Sequence, residues 1–180
     1  AADPHCAGAG RLIARMPIVC YIFPLSLRTH YYSDETRTLF KGEPSDDIKK
    51  MYAAVYEVQA GAIGEIRAGA RGREIYEWVK ESFAERGFPT QVHAERIEGF
   101  IPGGGHGVGI DVHEPPRIGA SDEVLEAGNV VTVEPGLYYA RGRDHIPAGG
   151  IRIEDTMVVE KDGARILTRF PKDLALMIVR

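Results

Sequence analysis

Asp34, His106, His113, Glu134 and Glu154, with His5 upstream, are the residues of this sequence whose types could do chemistry together. Three carboxylates and an imidazole, each within or beside a probable strand, suit one or two divalent cations of the Mn, Co or Zn type. Carboxylates that bridge two such ions hold them close enough to share a hydroxide, a nucleophile at neutral pH. Acids and histidines spread this widely along a chain are ordinarily solvated surface, so their settings have to decide. Glu134 follows Val130-Val131-Thr132-Val133, and Glu154 alternates with Ile151 and Ile153. A carboxylate embedded in a buried strand needs a partner to offset its desolvation.

Competing chemistries fail on spacing. The glycine-rich stretch from Gly103 to Gly109 contains no G-x-G-x-x-G window, and no helix of suitable pattern follows it. A Walker A lysine is absent, and so is a G-x-S-x-G elbow. His113-Glu114 runs into Pro115-Pro116, which blocks the helix that a zincin motif needs.

The elements that would position these residues read as α+β. Ile18 to Phe23 is dense in β-branched and aromatic residues and predicts a strand buried on both faces. Pro24 to His30 reads as a loop, and Tyr31 to Phe40 as a returning strand. Ser45 is a good N-cap, with Asp46 and Asp47 in the first turn. Ile48, Met51, Tyr52, Val55, Val58, Ala62 and Ile66 then recur at helical spacing, predicting a long amphipathic helix that ends near Gly69. A second helix places Ile75, Trp78, Val79 and Phe83 on one face, with Gly87 just past its end. Beyond Gly99 the pattern turns to strands and glycine-rich turns, including a two-residue hairpin signal at Asp162-Gly163. Helices packed on one side of a single curved antiparallel sheet are the expected architecture.

Length and composition fit one soluble domain over residues 1–180. A formal net charge of −4, without a basic stripe, argues against a nucleic-acid partner. Met16 to Leu25, the longest apolar stretch, is too short to cross a bilayer and carries two prolines, so no membrane partner is expected. Cys6 and Cys20 do not make a disulfide framework, and the expectation is a reduced, cytoplasmic setting.

Four motifs, in order, carry a resemblance. They are Ser33-Asp34-Glu35-Thr36-Arg37-Thr38, the run from Gly105 to Pro116 (GHGVGIDVHEPP), Val133-Glu134-Pro135-Gly136-Leu137-Tyr138 and Gly150-Ile151-Arg152-Ile153-Glu154-Asp155. Together they resemble the signatures of the pita-bread metallopeptidases, the creatinase/aminopeptidase superfamily. Ala2-Asp3-Pro4-His5 and Ile22-Phe23-Pro24 bring the wording nearest to the prolidase and Xaa-Pro aminopeptidase branch. The resemblance implies the catalytic C-terminal domain of such an enzyme, with the family's opening helices not included in residues 1–180. It implies metal ligation by Asp34, His106, Glu134 and Glu154, with Asp34 and Glu154 bridging two ions. It further implies that His113 and His5 contact the substrate, that Arg152 is an active-site arginine and that Glu134 handles the proton. Arg152 could equally do no more than balance the glutamates.

Two departures from the family pattern matter. The family's first metal-ligand aspartate precedes the Ile-Phe-Pro string, and here that position is Tyr21. A phenol with a pKa near about 10 is a poor replacement for a carboxylate. Cys20 would point to the opposite face of the strand and cannot substitute without a register slip. Pro102 stands where many relatives carry another histidine. The expected function is therefore a metal-dependent exopeptidase of Xaa-Pro dipeptidase or aminopeptidase type. Metal-bound hydroxide would attack the scissile carbonyl of a dipeptide or an N-terminal Xaa-Pro segment. Tyr21 would impair it, leaving one ion at most bound strongly, and the resemblance implies a homodimer. The alternative is an inactive pita-bread module that binds peptide or protein in the old cleft.

Overall fold

The computed structural model describes residues 10, 12–93, 96–101 and 103–179. Strands β1 (Pro17–Ile22) and β2 (Glu35–Lys41) pair antiparallel, with Tyr21 opposite Thr36 and Cys20 opposite Arg37. The expectation that the first strand is buried on both faces is not met. β1 is the edge of a three-stranded sheet and is only half-buried; Ile22 at its end and Phe23, Leu25 and Leu27 beyond it are exposed. An edge strand has a ladder partner on one side alone, so its apolar density does not translate into burial. The returning strand starts at Glu35, later than expected, with Tyr32 tied to Leu25 by an isolated bridge.

Ser45 caps α1 (Asp46–Glu65), its hydroxyl accepting the Ile48 N–H. The helix ends a few residues before Gly69, which turns the chain at positive φ and donates to the Leu125 carbonyl. Its stripe of Ile48, Met51, Tyr52, Val55, Val58 and Ala62 is buried against α2 (Gly72–Glu85) and the sheets. Ile75, Val79 and Phe83 of α2 are buried as expected, while Trp78 is only partly covered.

The remaining strands are β3 (Gln91–Val92), β4 (Ile97–Phe100), β5 (Gly105–Gly107), β6 (Glu114–Ile118), β7 (Val130–Val133), β8 (Gly136–Tyr139), β9 (Gly149–Arg152), β10 (Asp155–Val159) and β11 (Ala164–Ile166). A short helix α3 (Leu174–Met177) leads into β12 (Ile178–Val179). The class is α+β, but the strands divide among three sheets, in orders β1-β2-β12, β11-β10-β7-β5-β6 and β3-β4-β8-β9. The single sheet of the expectation is interrupted between β9 and β10, where the chain passes from one sheet to the next. An isolated bridge between Thr36 and Glu154 sews that crossing to β2. All pairs are antiparallel except β12 on β2. In the β10–β11 hairpin Val159 faces Ala164, and the Glu160 N–H donates to the Gly163 carbonyl. The turn is therefore centred on Lys161-Asp162, one residue before the expected pair.

Behind the crossing lies a polar cluster with no counterpart in the sequence expectations. Arg37, only 2 % exposed, donates to the carbonyls of Thr36, Glu154, Phe170 and Pro171 and to Asp155 Oδ1 at 2.8 Å. Asp155 also accepts from Gln59 at 2.8 Å, Thr168 at 2.7 Å and Lys172 at 2.6 Å. Burial opposes its ionisation, but the Lys172 hydrogen bond and the Arg37 charge outweigh that and hold its pKa at about 2. This stabilisation is present above the ordinary carboxylate pKa and is lost as pH falls through about 2. Arg37→Met, which leaves buried acceptors without their donor, should therefore cost about 3–5 kcal/mol at neutral pH. Its deficit against the wild type, read from urea unfolding midpoints, should shrink as the pH approaches about 2.

Candidate metal centre

The six described candidates converge. Asp34 lies just before β2, His106 at the centre of β5, Glu134 between β7 and β8, Arg152 at the end of β9, and Glu154 in the crossing to β10. His106 Nε2 is 3.2 Å from Glu134 Oε1 and 3.7 Å from Asp34 Oδ2. Ligand atoms of His106, Glu134 and Glu154 lie within 4.8 Å of one another, and so do those of Asp34, His106 and His113. His106 is common to both groups. The His113 ring meets the His106 ring edge-on at 4.3 Å, itself exposed toward the cleft. His5 lies outside the described residues, as does Pro102.

The glycines around His106 now have a reason. A Cβ at Gly105 would land on the carbonyl of Thr132, and one at Gly107 on the carbonyl of Pro115. β5 is squeezed between β7 and β6, and only glycine lets the backbones approach so closely. The imidazole is thereby pinned, its Nδ1 3.0 Å from the Gly107 carbonyl and its backbone N–H donating to Thr132 Oγ1. An orienting bond at one ring nitrogen leaves the other as the ligand atom.

Electrostatically the cluster wants a cation. Burial pushes the Asp34 carboxyl up to about 6, and burial with the neighbouring Glu134 charge pushes Glu154 up to about 8. Burial alone would lower the His106 pKa, but its hydrogen bond to Glu134 and that carboxylate's charge raise it. Glu134, although buried, is held low by His106 and Arg152. One Glu154 oxygen accepts from the Thr36 hydroxyl, whereas Oε1 is buried with no hydrogen-bond partner among the described residues. A buried carboxylate with an unpartnered oxygen, close to a second glutamate and an imidazole, fits a divalent ion, and Asp34, His106, Glu134 and Glu154 are the side chains that could hold one.

Arg152 enters the same cluster. Its Nη1 lies 3.2 Å from Glu134 Oε2 and its Nη2 3.9 Å from Glu154 Oε2, while its guanidinium sits 4.4 Å from the centroid of the Tyr21 ring. Cys20 projects away from this site, on the face it shares with Arg37. Two cavities open on the cluster. One of about 230 Å³ runs past Ile101, Arg117 and Tyr138, the other of about 300 Å³ past Tyr21, Phe23 and Val112. His106, His113, Glu134 and Arg152 line both. Thr36, Thr132, Arg117 and Tyr138 were not singled out from the sequence. For Thr36 the available signal was its place two residues after Asp34 in the predicted returning strand, which puts both on one face. His30, His93 and His145 are exposed and lie apart from this cluster's candidate ligands.

Because both raised carboxyls must lose protons to bind a cation, Mn²⁺ should bind more tightly as pH rises from about 6 to about 8, releasing protons. The same raised pKa values mean that the metal-free chain loses stability as pH climbs from the ordinary carboxylate range through about 8. Calorimetric titration in buffers of differing ionisation enthalpy measures the proton release. A flat affinity over that interval would contradict the assignment.

Comparison with known proteins gives this arrangement a lineage. Residues 1–161 match the model of metallopeptidase family M24. The chain is 35% identical over 172 residues to the Xaa-Pro dipeptidase of Pyrococcus furiosus, covering 95% of this chain and 45% of that protein. It is 35% identical over 175 residues to a peptidase of Bacillus subtilis, covering 97% of this chain and again 45% of the other. Among solved structures it is similar to an X-Pro aminopeptidase from Thermotoga maritima, with a TM-score of 0.82 at 32% identity over 99% of this chain and 46% of that one. The prolidase of Pyrococcus horikoshii aligns with a TM-score of 0.81 at 35% identity, covering 96% of this chain and 46% of that one. The chain thus spans about half the length of the relatives it matches. With a family match over most of its residues and the same layout of strands and helices, this chain belongs to metallopeptidase family M24 and has its pita-bread fold.

Proposed function

We propose that the chain carries the chemistry of a metal-dependent exopeptidase of Xaa-Pro type, slowed by the tyrosine at position 21. The observation that carries this reading is the convergence of Asp34, Glu134 and Glu154 on His106, which belongs to both candidate ligand groups and lines two cavities. A divalent ion of the Mn, Co or Zn type held by these four side chains would acidify water and polarise the peptide carbonyl. The remaining work falls to the protein. His113 faces the cleft, and burial lowers its pKa, so the neutral form predominates at pH 7 and can donate its N–H to the developing oxyanion. Glu134 lines both cavities and is the carboxylate placed to carry a proton from the attacking water to the leaving amine. Arg152, anchored on Glu134, keeps that carboxylate ionised and oriented.

The preference for proline comes from the relatives, which include Xaa-Pro dipeptidases and an X-Pro aminopeptidase. The two cavities that share His106, His113, Glu134 and Arg152 are compatible in size with a dipeptide. Tyr21 favours a second reading, in which the cleft binds peptide or a protein segment without cutting it.

Assay of the Mn²⁺-treated chain should show slow release of proline from Xaa-Pro dipeptides, and Glu134→Gln should lower that rate about 10²- to 10⁴-fold. Saturable peptide binding with neither metal uptake nor hydrolysis would assign the cleft to the second reading.

A further inference from the structure

Tyr21 and Arg152 form one device at the metal centre. Tyr21 and Thr36 are cross-strand partners in the β1–β2 ladder, and both touch the Arg152 guanidinium. The guanidinium lies 4.4 Å from the Tyr21 ring centroid, and its Nε and Nη2 donate to Thr36 Oγ1 at 3.3 and 3.2 Å. From that seat it reaches Glu134 Oε2 at 3.2 Å and Glu154 Oε2 at 3.9 Å, the two glutamates that also face His106. A planar cation is thus held by an aromatic face, a hydroxyl and two carboxylates, with its side chain only 18% exposed.

We propose that the Arg152 guanidinium, seated on the Tyr21 ring, is a built-in cation that stands in for a second metal and restricts the centre to one divalent ion. The inference rests on the metal-dependent reading above. Charge balance carries it. Asp34, Glu134 and Glu154 bring three negative charges and Arg152 one positive, a remainder of two that one divalent ion cancels. A second ion, even with a bound hydroxide counted, would leave a surplus of one positive charge among buried groups, where uncompensated charge is costly. Donors point the same way. His106, Glu134 and Glu154 offer ligand atoms close enough together for one ion, whereas the Tyr21 side of the cluster presents an aromatic ring beneath a guanidinium. An aspartate at position 21 would reverse both terms, adding a negative charge and removing the aromatic seat.

The test counts metal rather than turnover. The full chain, stripped and then equilibrated with Mn²⁺, should retain one equivalent by elemental analysis and give the spin-resonance spectrum of isolated Mn²⁺. Tyr21→Phe, which keeps the ring, should behave identically. Tyr21→Asp should take up a second equivalent, with a spin-coupled pair in the spectrum. Arg152→Gln, which keeps the ring and removes the charge, should bind a second ion at least ten-fold more tightly than the wild type. Thermal melts of each variant verify folding, and either of the last two is sufficient if the other fails to fold. Two ions in the wild type, or a folded Tyr21→Asp or Arg152→Gln chain that stays at one, would overturn this inference and leave the metal-dependent reading intact. Uptake of no ion by any of the four chains would overturn both.

Discussion

Three carboxylates brought together in a buried hollow repel one another, and the structure around them is organised by the need to neutralise that charge. Asp34, Glu134 and Glu154 arrive from separate strand ends and are all nearly inaccessible. In such surroundings a carboxylate either takes a proton or finds a cation. Two of the three are pushed toward protonation, and the third is held ionised by His106 and Arg152. The uneven sharing follows from placement. Glu134 sits between the imidazole and the guanidinium, while Glu154 keeps one oxygen with no partner.

Holding such a cluster requires a frame that does not yield, and the fold supplies it twice. On the His106 side, close backbone approach at Gly105 and Gly107 locks β5 between its neighbours. On the Glu154 side, the bridge to Thr36 and the Arg37 bond to the Glu154 carbonyl fix the chain where it changes sheets. Arg37 in turn is held by Asp155, which Gln59 of α1 and Lys172 also grip. The acid cluster in front and the ion-pair network behind are therefore carried by adjacent residues of the same two strands. Cys20 and Arg37 face the network, Tyr21 and Thr36 face the cluster, and strand alternation keeps the two charge systems apart.

Membership of family M24 and the position-21 tyrosine pull in different directions, and the geometry shows how both can hold. The proposed ligands Asp34, His106, Glu134 and Glu154 need nothing from position 21. What the tyrosine alters is the seat of Arg152, which lies on its ring and against both glutamates. A substitution that reads in the sequence as the loss of a ligand is, in three dimensions, also the gain of a cation shelf.

Much was legible from the residues alone because it depends on short-range rules. Ser45 ahead of two acidic residues marks a helix start, and apolar recurrence from Ile48 to Ala62 marks its buried face. The identities of the metal-ligand candidates came from motifs whose residues lie a few positions apart. Three features were decided only by tertiary structure: the half-exposed edge position of β1, the division of the strands among three sheets, and the burial of Arg37. Apolar density cannot tell an edge strand from a central one, since that depends on whether a second strand lies alongside. Arg37 reads as a surface charge until residues more than a hundred positions away close over it. The Arg152–Tyr21 contact was hidden for the same reason: local patterns set what each residue is able to do, and only chain closure brings a distant charge to its partner.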